Sequence, residues 1–339
     1  MVSRRDYSQK IVEAARSVLF EVTRLLGEYQ DEIVVIGGWV PELLLTNAEE
    51  KHVGSIDVDL ALNHRSISEA GYKTIMQHLL SHGYSQGKQP FIFHRTVVVR
   101  GEEITVDIDF LAGEYEGTGK KHRTQRVQDM RPRKARGVDL AFEMPEKITI
   151  RGVLPEGGDD VAEIQVASIA SFLVMKGMAL KDRLKEKDAW DIYFCIRYYP
   201  HGVDALIEEL RPLSGHGLVR ESLGYIAEKF SSPLAVGPVH VANFEEIDDA
   251  SARELIQRDA YERIQFFFSS LRRCINSVHI GQVYRFWRGM RVGTSRVQAS
   301  ARARLGKVNW DKTILQVWVR PGRYCNWLAF YSLFNIQYL

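Results

Sequence analysis

Two short stretches of the chain alternate aspartate with large apolar residues, Ile56-Asp57-Val58-Asp59-Leu60 and Val106-Asp107-Ile108-Asp109-Phe110. Successive side chains on a strand point to opposite faces, so each stretch makes a strand with one apolar and one acidic face. Asp57 then shares a face with Asp59, and Asp107 with Asp109. Carboxylates gathered on an apolar sheet lose hydration and raise one another's pKa, a cost that a bound divalent cation relieves. Hard cations prefer oxygen ligands, and two Mg²⁺ ions roughly 3.5–4 Å apart serve in-line displacement at phosphate. The pattern therefore constrains the chain to a sheet that brings acids together, and points to metal-dependent chemistry on phosphates.

The residues ahead of the first acidic strand supply a complementary part. The apolar run Ile33 to Ile36 reads as a strand, broken by Gly37-Gly38. Without Cβ atoms such a turn lets backbone N–H groups approach a phosphate closely. Residues 39–45, with Pro41 in the first turn, read as a helix whose positive end would face that anion. Ser55, two residues before Asp57, is expected either to contact phosphate or a metal-bound water, or to act as a turn residue. Trp39 is expected in the core behind the turn, and His52 and the His94-Arg95 pair are weaker candidates for substrate contact.

Around these motifs, Ile11, Ala15, Val18, Val22 and Leu25 recur at helical spacing, with Gly27 as a stop. Strands are expected at 55–62, 91–99, 103–111 and 147–153, and helices at 68–81, 167–183 and 187–197, with a mainly helical pattern to about residue 278. The whole reads as α/β: a core with a small mixed sheet over 1–165, a helical domain over 166–280, and a basic tail over 281–339 with no clear periodicity.

Charge is unevenly spread. Between positions 120 and 136, Lys120, Lys121, Arg123, Arg126, Arg131, Arg133, Lys134 and Arg136 face a single acid, Asp129. From 271 to 323 twelve Lys/Arg face Asp311 alone. Both segments suggest a polyanionic partner, RNA being the favoured one, although each taken alone is also compatible with a solvated basic surface. Cys195, Cys274 and Cys325 are odd in number and far apart, which signals neither a disulfide framework nor a zinc site. No secretory signal and no run of about 20 apolar residues is present, so a cytoplasmic protein without a membrane segment is expected.

Gly37-Gly38, Ser55-x-Asp57-x-Asp59 and Asp107 on a later strand resemble the motifs of the DNA-polymerase-beta-type nucleotidyltransferase superfamily. The resemblance implies Mg²⁺-dependent transfer of a nucleoside monophosphate from an NTP with loss of pyrophosphate. It implies Asp57, Asp59 and Asp107 as catalytic residues and metal ligands, with Asp109 in a supporting place. Residues 39–56 make a longer gap between turn and aspartates than the superfamily usually has, so 46–54 looks like an insertion.

A second set, Lys176-Gly177-Met178-Ala179-Leu180 with Arg183, then Lys187-Asp188 and Asp191-Ile192-Tyr193, is similar to the helical segment of AbiEii-type abortive-infection nucleotidyltransferase toxins. Lys176 and Arg183 are one heptad apart, within about 20° on a continuous helix. Lys176 would hold NTP phosphates, with Asp188 and Asp191 orienting it, so that Gly37, Gly38, Ser55, Lys176, Asp188 and Asp191 form the expected nucleotide site. A cognate antitoxin is the further partner the resemblance implies. Two other functions fit less well: transfer to a small aminoglycoside-like acceptor, and non-catalytic RNA binding on a transferase core.

Overall fold

The computed structural model describes residues 2–67, 74–115, 118 and 121–290, and of these the backbone alone at 182 and 275–290. Among the described residues eight strands form one mixed sheet: β1 (Ile33–Ile36), β2 (Val58–Leu62), β3 (Ser85–Gln86), β4 (Ile92–Val99), β5 (Glu102–Gly113), β6 (Arg133–Ala135), β7 (Glu146–Val153) and β8 (Asp159–Val166). Their spatial order is β3-β4-β5-β2-β1-β8-β7, with β6 beside the end of β5. Strands β1 and β2 run antiparallel, while β2 pairs in parallel with β5 and β1 in parallel with β8.

Helix α1 (Gln9–Leu25) is strongly amphipathic and buries Ala14, Ala15, Val18, Leu19 and Val22. It packs on β4, β5, β7 and β8, where Val22 and Leu26 face Ile33, Val35 and Leu60 of the sheet. The apolar face of β2 is thereby spent on α1. Alternation turns Asp57 and Asp59 to the opposite side.

The short helix α2 (Trp39–Leu44) follows the glycine turn, and its Trp39 is fully buried, as expected. The Trp39 indole N–H donates to the Asp57 carbonyl at 2.7 Å. That carbonyl is thus taken up by a side chain, and β2 begins at Val58 rather than at Ser55. Helix α3 (Ile75–Ser81) starts where Thr74 closes a capping box with Gln77; the expected first turns at 68–73 lie outside the described residues.

Helices α4 (Ile169–Asp182) and α5 (Glu186–Tyr198) come next, with the sharp break between them near the expected place. They are followed by α6 (Val203–Leu210), α7 (Gly217–Lys229), α8 (Val236–Phe244) and α9 (Ala250–Met290). Met1–Asn276 forms one compact unit by itself. Residues 291–339, most of the expected tail, and Lys120 lie outside the described residues. Cys195 is a buried free thiol.

Strand β8 has no counterpart in the sequence reading. Its polar first half, Asp159 to Glu163, forms the exposed end of a hairpin with β7, and only Ile164 and Val166 are apolar and buried. The pattern is too mixed for a period-2 signal, yet Val166 is the residue that pairs with Val35 of β1.

Close packing of α4 on α7 depends on Gly177, where a Cβ would lie 2.1 Å from the Ser222 hydroxyl and 2.8 Å from the Ser222 carbonyl. Gly177→Ala is expected to destabilise the protein by about 1–3 kcal/mol through overpacking. The urea unfolding midpoint should fall with the m-value unchanged.

Candidate active site

Gly37 ends β1 with φ +71, and a Cβ there would stand 2.0 Å from the Asp59 carboxylate oxygen. The turn is therefore glycine for two reasons, the left-handed backbone and the carboxylate laid against it. At Gly38 a Cβ would lie 2.8 Å from the Ser55 hydroxyl and 3.3 Å from the Lys187 ammonium. Ser55 is buried and donates to the Asp57 carboxylate at 2.5 Å, so it serves the aspartate directly. Helix α2 has only six residues, so the turn itself, more than a helix dipole, presents N–H groups here.

The parallel register of β2 on β5 sets Asp59 beside Asp109. Both carboxyls are pushed up. For Asp59 the shift reaches about 8, through loss of hydration first and then the charges of Asp57 and Asp109, against the pull of Lys176 and Arg133. For Asp109, burial leads, Arg133 opposes it, and Asp57 and Asp107 add to it. One Asp109 oxygen is buried without a hydrogen-bond partner, and the other is 3.7 Å from the Arg133 guanidinium.

Asp107, two residues earlier on the same face, is placed differently. It is 57% exposed and pairs at 2.7 Å with His94, its cross-strand neighbour on β4. The structure brings Asp57, Asp59 and Asp109 into one electrostatic cluster, with Asp107 and His94 at its rim. Among the described residues no group of three His, Cys, Asp or Glu is already drawn together tightly enough to hold an ion. The donor set nonetheless fits one: hard oxygen ligands on one face, an unpartnered carboxylate oxygen, and a carboxyl that keeps its proton for want of a cation.

The helices add the positive side of the site. Lys176 of α4 lies 2.6 Å from Asp188 and 2.7 Å from Asp191 of α5. Lys187 is 2.7 Å from Asp191, and Arg183 donates to Asp188 at 2.9 Å. Arg183 is not on the helical face of Lys176, because α4 ends at Asp182 and Arg183 is extended. Both reach Asp188 all the same. Burial disfavours the Asp191 charge, but Lys176 and Lys187 override it and hold the carboxyl far below its usual range.

Three cations thus meet two carboxylates, leaving one positive charge in surplus. Asp59 and Asp57 feel it, since Lys176 lowers the Asp59 pKa and both aspartates raise that of Arg183. His52 completes the network. Gly54 N–H donates to its Nδ1 at 3.1 Å, which leaves the proton on Nε2 facing Asp191 at 2.9 Å. Burial, with the nearby Lys187, lowers its pKa to about 4, so it is a neutral structural donor.

Two residues near the site escaped the sequence reading of roles. Lys187 lies against Gly38, closer to the turn than its motif alone indicates, and Arg133 reaches the carboxylates from β6. The signal for Lys187 was its place in the Lys-Asp-x-x-Asp run; for Arg133 it was only membership of a basic segment.

The site thus sets a glycine turn against paired aspartates, with a second acidic strand beside them and lysines from the next helices. The chain matches the family described as nucleotidyl transferase AbiEii toxin, type IV TA system, over residues 29–274, and belongs to that family. It is therefore a nucleotidyltransferase toxin of a toxin–antitoxin system. No curated protein and no solved structure matched it. No helix among the described residues is long and apolar enough to cross a membrane.

The raised Asp59 pKa has a measurable consequence. Its folded value of about 8 lies above the ordinary 3.8, so the stabilisation its proton brings is present in acid and lost as pH rises through about 8. A divalent cation bound at this carboxylate would displace that proton. If Mg²⁺ is that cation, its binding should release close to one proton at pH 7 and almost none well above pH 8, with affinity rising about tenfold per pH unit below that point. Calorimetry in buffers of different ionisation heat measures the release, and Asp59→Asn should abolish it.

Proposed function

We propose that the protein moves the nucleoside monophosphate of an NTP onto a hydroxyl of an RNA acceptor, such as a tRNA end, in the cytoplasm, under the control of a cognate antitoxin. The acceptor oxygen forms a bond to the α-phosphorus, the bond to the pyrophosphate oxygen breaks, and the acceptor proton is lost. The observation that carries this reading is the Asp57–Asp59–Asp109 cluster, with Asp59 protonated near neutrality in the absence of a cation. Two Mg²⁺ ions held there would neutralise charge on the phosphates and activate the attacking hydroxyl.

Asp57 is suited to the cation by its bend ahead of β2, where Ser55 orients one carboxylate oxygen and Trp39 pins the backbone. Asp59 is held by the Gly37 turn. Of the two acids on β5, Asp107 is the expected third ligand from motif position. The burial of Asp109, its unpartnered oxygen and its pairing with Asp59 favour Asp109 instead. The triphosphate is assigned to the Gly37-Gly38 backbone with Lys176 and Lys187, whose ammonium groups Asp188 and Asp191 orient. Lysine suits this task as a point charge on phosphate oxygens.

The test is transfer of label from an NTP labelled at its α-phosphate into total RNA, with a small-molecule fraction counted separately. Asp57→Asn should lower the rate by on the order of 10²–10³-fold or more, as loss of one preorganised electrostatic contact does. Full activity in that variant would sink the assignment. Asp109→Asn and Asp107→Asn decide the third ligand. The first is expected to match Asp57→Asn, and the second to lose about tenfold, the lower end of the cost of removing a group that only supports a ligand.

A further inference from the structure

Between β5 and β6 the chain makes a small hairpin, with bridges Thr124↔Arg133 and Val127↔Met130 and Gln125 N–H bonded to the Pro132 carbonyl. This register sets Arg126 directly opposite Arg131. Gln125, Val127, Met130 and Pro132 point inward and are buried, whereas Arg126 and Arg131 are exposed on the other face. The tip is docked, since Gln128 accepts from Ile75 N–H and Asp129 from the Thr74 hydroxyl. The one acid of the hairpin is therefore turned away to α3.

Like charges placed directly opposite each other on neighbouring strands destabilise the pair. Folding does not need this one, because the buried face anchors the hairpin without it. Neither Arg126 nor Arg131 makes an ion pair among the described residues, and exposed Arg123 and Lys121 nearby make none either. The same outward face continues to Thr124 and Arg133, one row of about 7 Å further along, and Arg133 reaches the Asp109 carboxylate. A row of guanidinium groups thus runs from the Arg126–Arg131 pair, which no acid relieves among the described residues, to Arg133 at the Asp109 carboxylate.

We propose that this hairpin face, with Arg126 and Arg131 at its centre, binds the phosphate backbone of the acceptor nucleic acid strand and leads its terminal hydroxyl to the site. The inference rests on the RNA-acceptor reading and adds where the strand lies. Arginine pairs with phosphate through two parallel N–H donors, and such contacts position a strand without reading its sequence. A negatively charged protein segment is the competing occupant, and charge alone does not separate the two. Continuity with the carboxylates favours the strand, because a substrate must reach them and an inhibitor need not.

The test pairs the full-length wild type with an Arg126→Gln, Arg131→Gln double variant. Thermal unfolding should be unchanged or slightly raised in the variant, since a like-charge pair is removed. Binding of a labelled single-stranded RNA, followed by anisotropy across salt concentrations, should weaken. The slope of log affinity against log salt should become shallower by about 1.4, at roughly 0.7 per lost phosphate contact. Equal RNA affinity and slope in both proteins, with the wild type labelling RNA, would overturn the hairpin assignment alone. A wild type that neither binds nor labels RNA while binding Mg·NTP would overturn the acceptor reading beneath it. Displacement of RNA by polyglutamate at equal charge concentration, lost in the variant, would assign the face to an acidic protein segment and overturn the proposal.

Discussion

The site depends on one buried carboxylate, that of Asp191. It receives His52 from the segment before β2, Lys176 from α4 and Lys187 from α5, all within 2.9 Å and all shielded from water. An isolated charge at that depth would be very costly, so the carboxylate is tolerable only when its partners are all present. The network therefore couples three separate segments to one position. Through it the lysines are held near the glycine turn, and the residues preceding Asp57 are held on the helices.

Around this anchor the sheet divides its duties by face. The apolar side of β2 is covered by α1, which contributes burial and no chemistry. The acidic side has no such cover and is compensated by charge, in part by the surplus cation of the Lys176–Arg183–Lys187 group and in part by Arg133. Neither compensation is complete, and Asp59 keeps its proton to about pH 8 as a result. Under the proposed function, Mg·NTP would bring a cation to the acidic face and an anion to the glycine turn and lysines together.

Much of this was legible in the chain. Alternation in residues 56–60 and 106–110 was enough for two strands with acidic faces, and the break at Gly37-Gly38 was enough for the turn. Lys176, Asp188 and Asp191 were legible as a charged set, though the salt bridges that join them were not. The sheet was less legible than its acids. Strand β8 has a polar outer half, and β6 has three residues, so neither leaves a periodic trace. The role of Lys187 at Gly38 was hidden because the two are far apart in sequence and meet only through the docking of α5.

The sequence by itself determined that acids would lie on one face of apolar strands, because a period of two is a local property of the backbone. It also determined that the turn before them would be glycine, and that the chain carries the motifs of a nucleotidyltransferase. It did not determine which acid of the second strand stands beside Asp59. Asp107 and Asp109 have the same parity, similar apolar neighbours and the same chemistry, and it is the register of β5 against β2 that sets Asp109 opposite Asp59. Register is set by long-range packing, in which β5 is held between β4 and β2. The tertiary structure alone therefore decided that Asp109 is the half-buried neighbour of Asp59 and that Asp107 faces solvent beside His94.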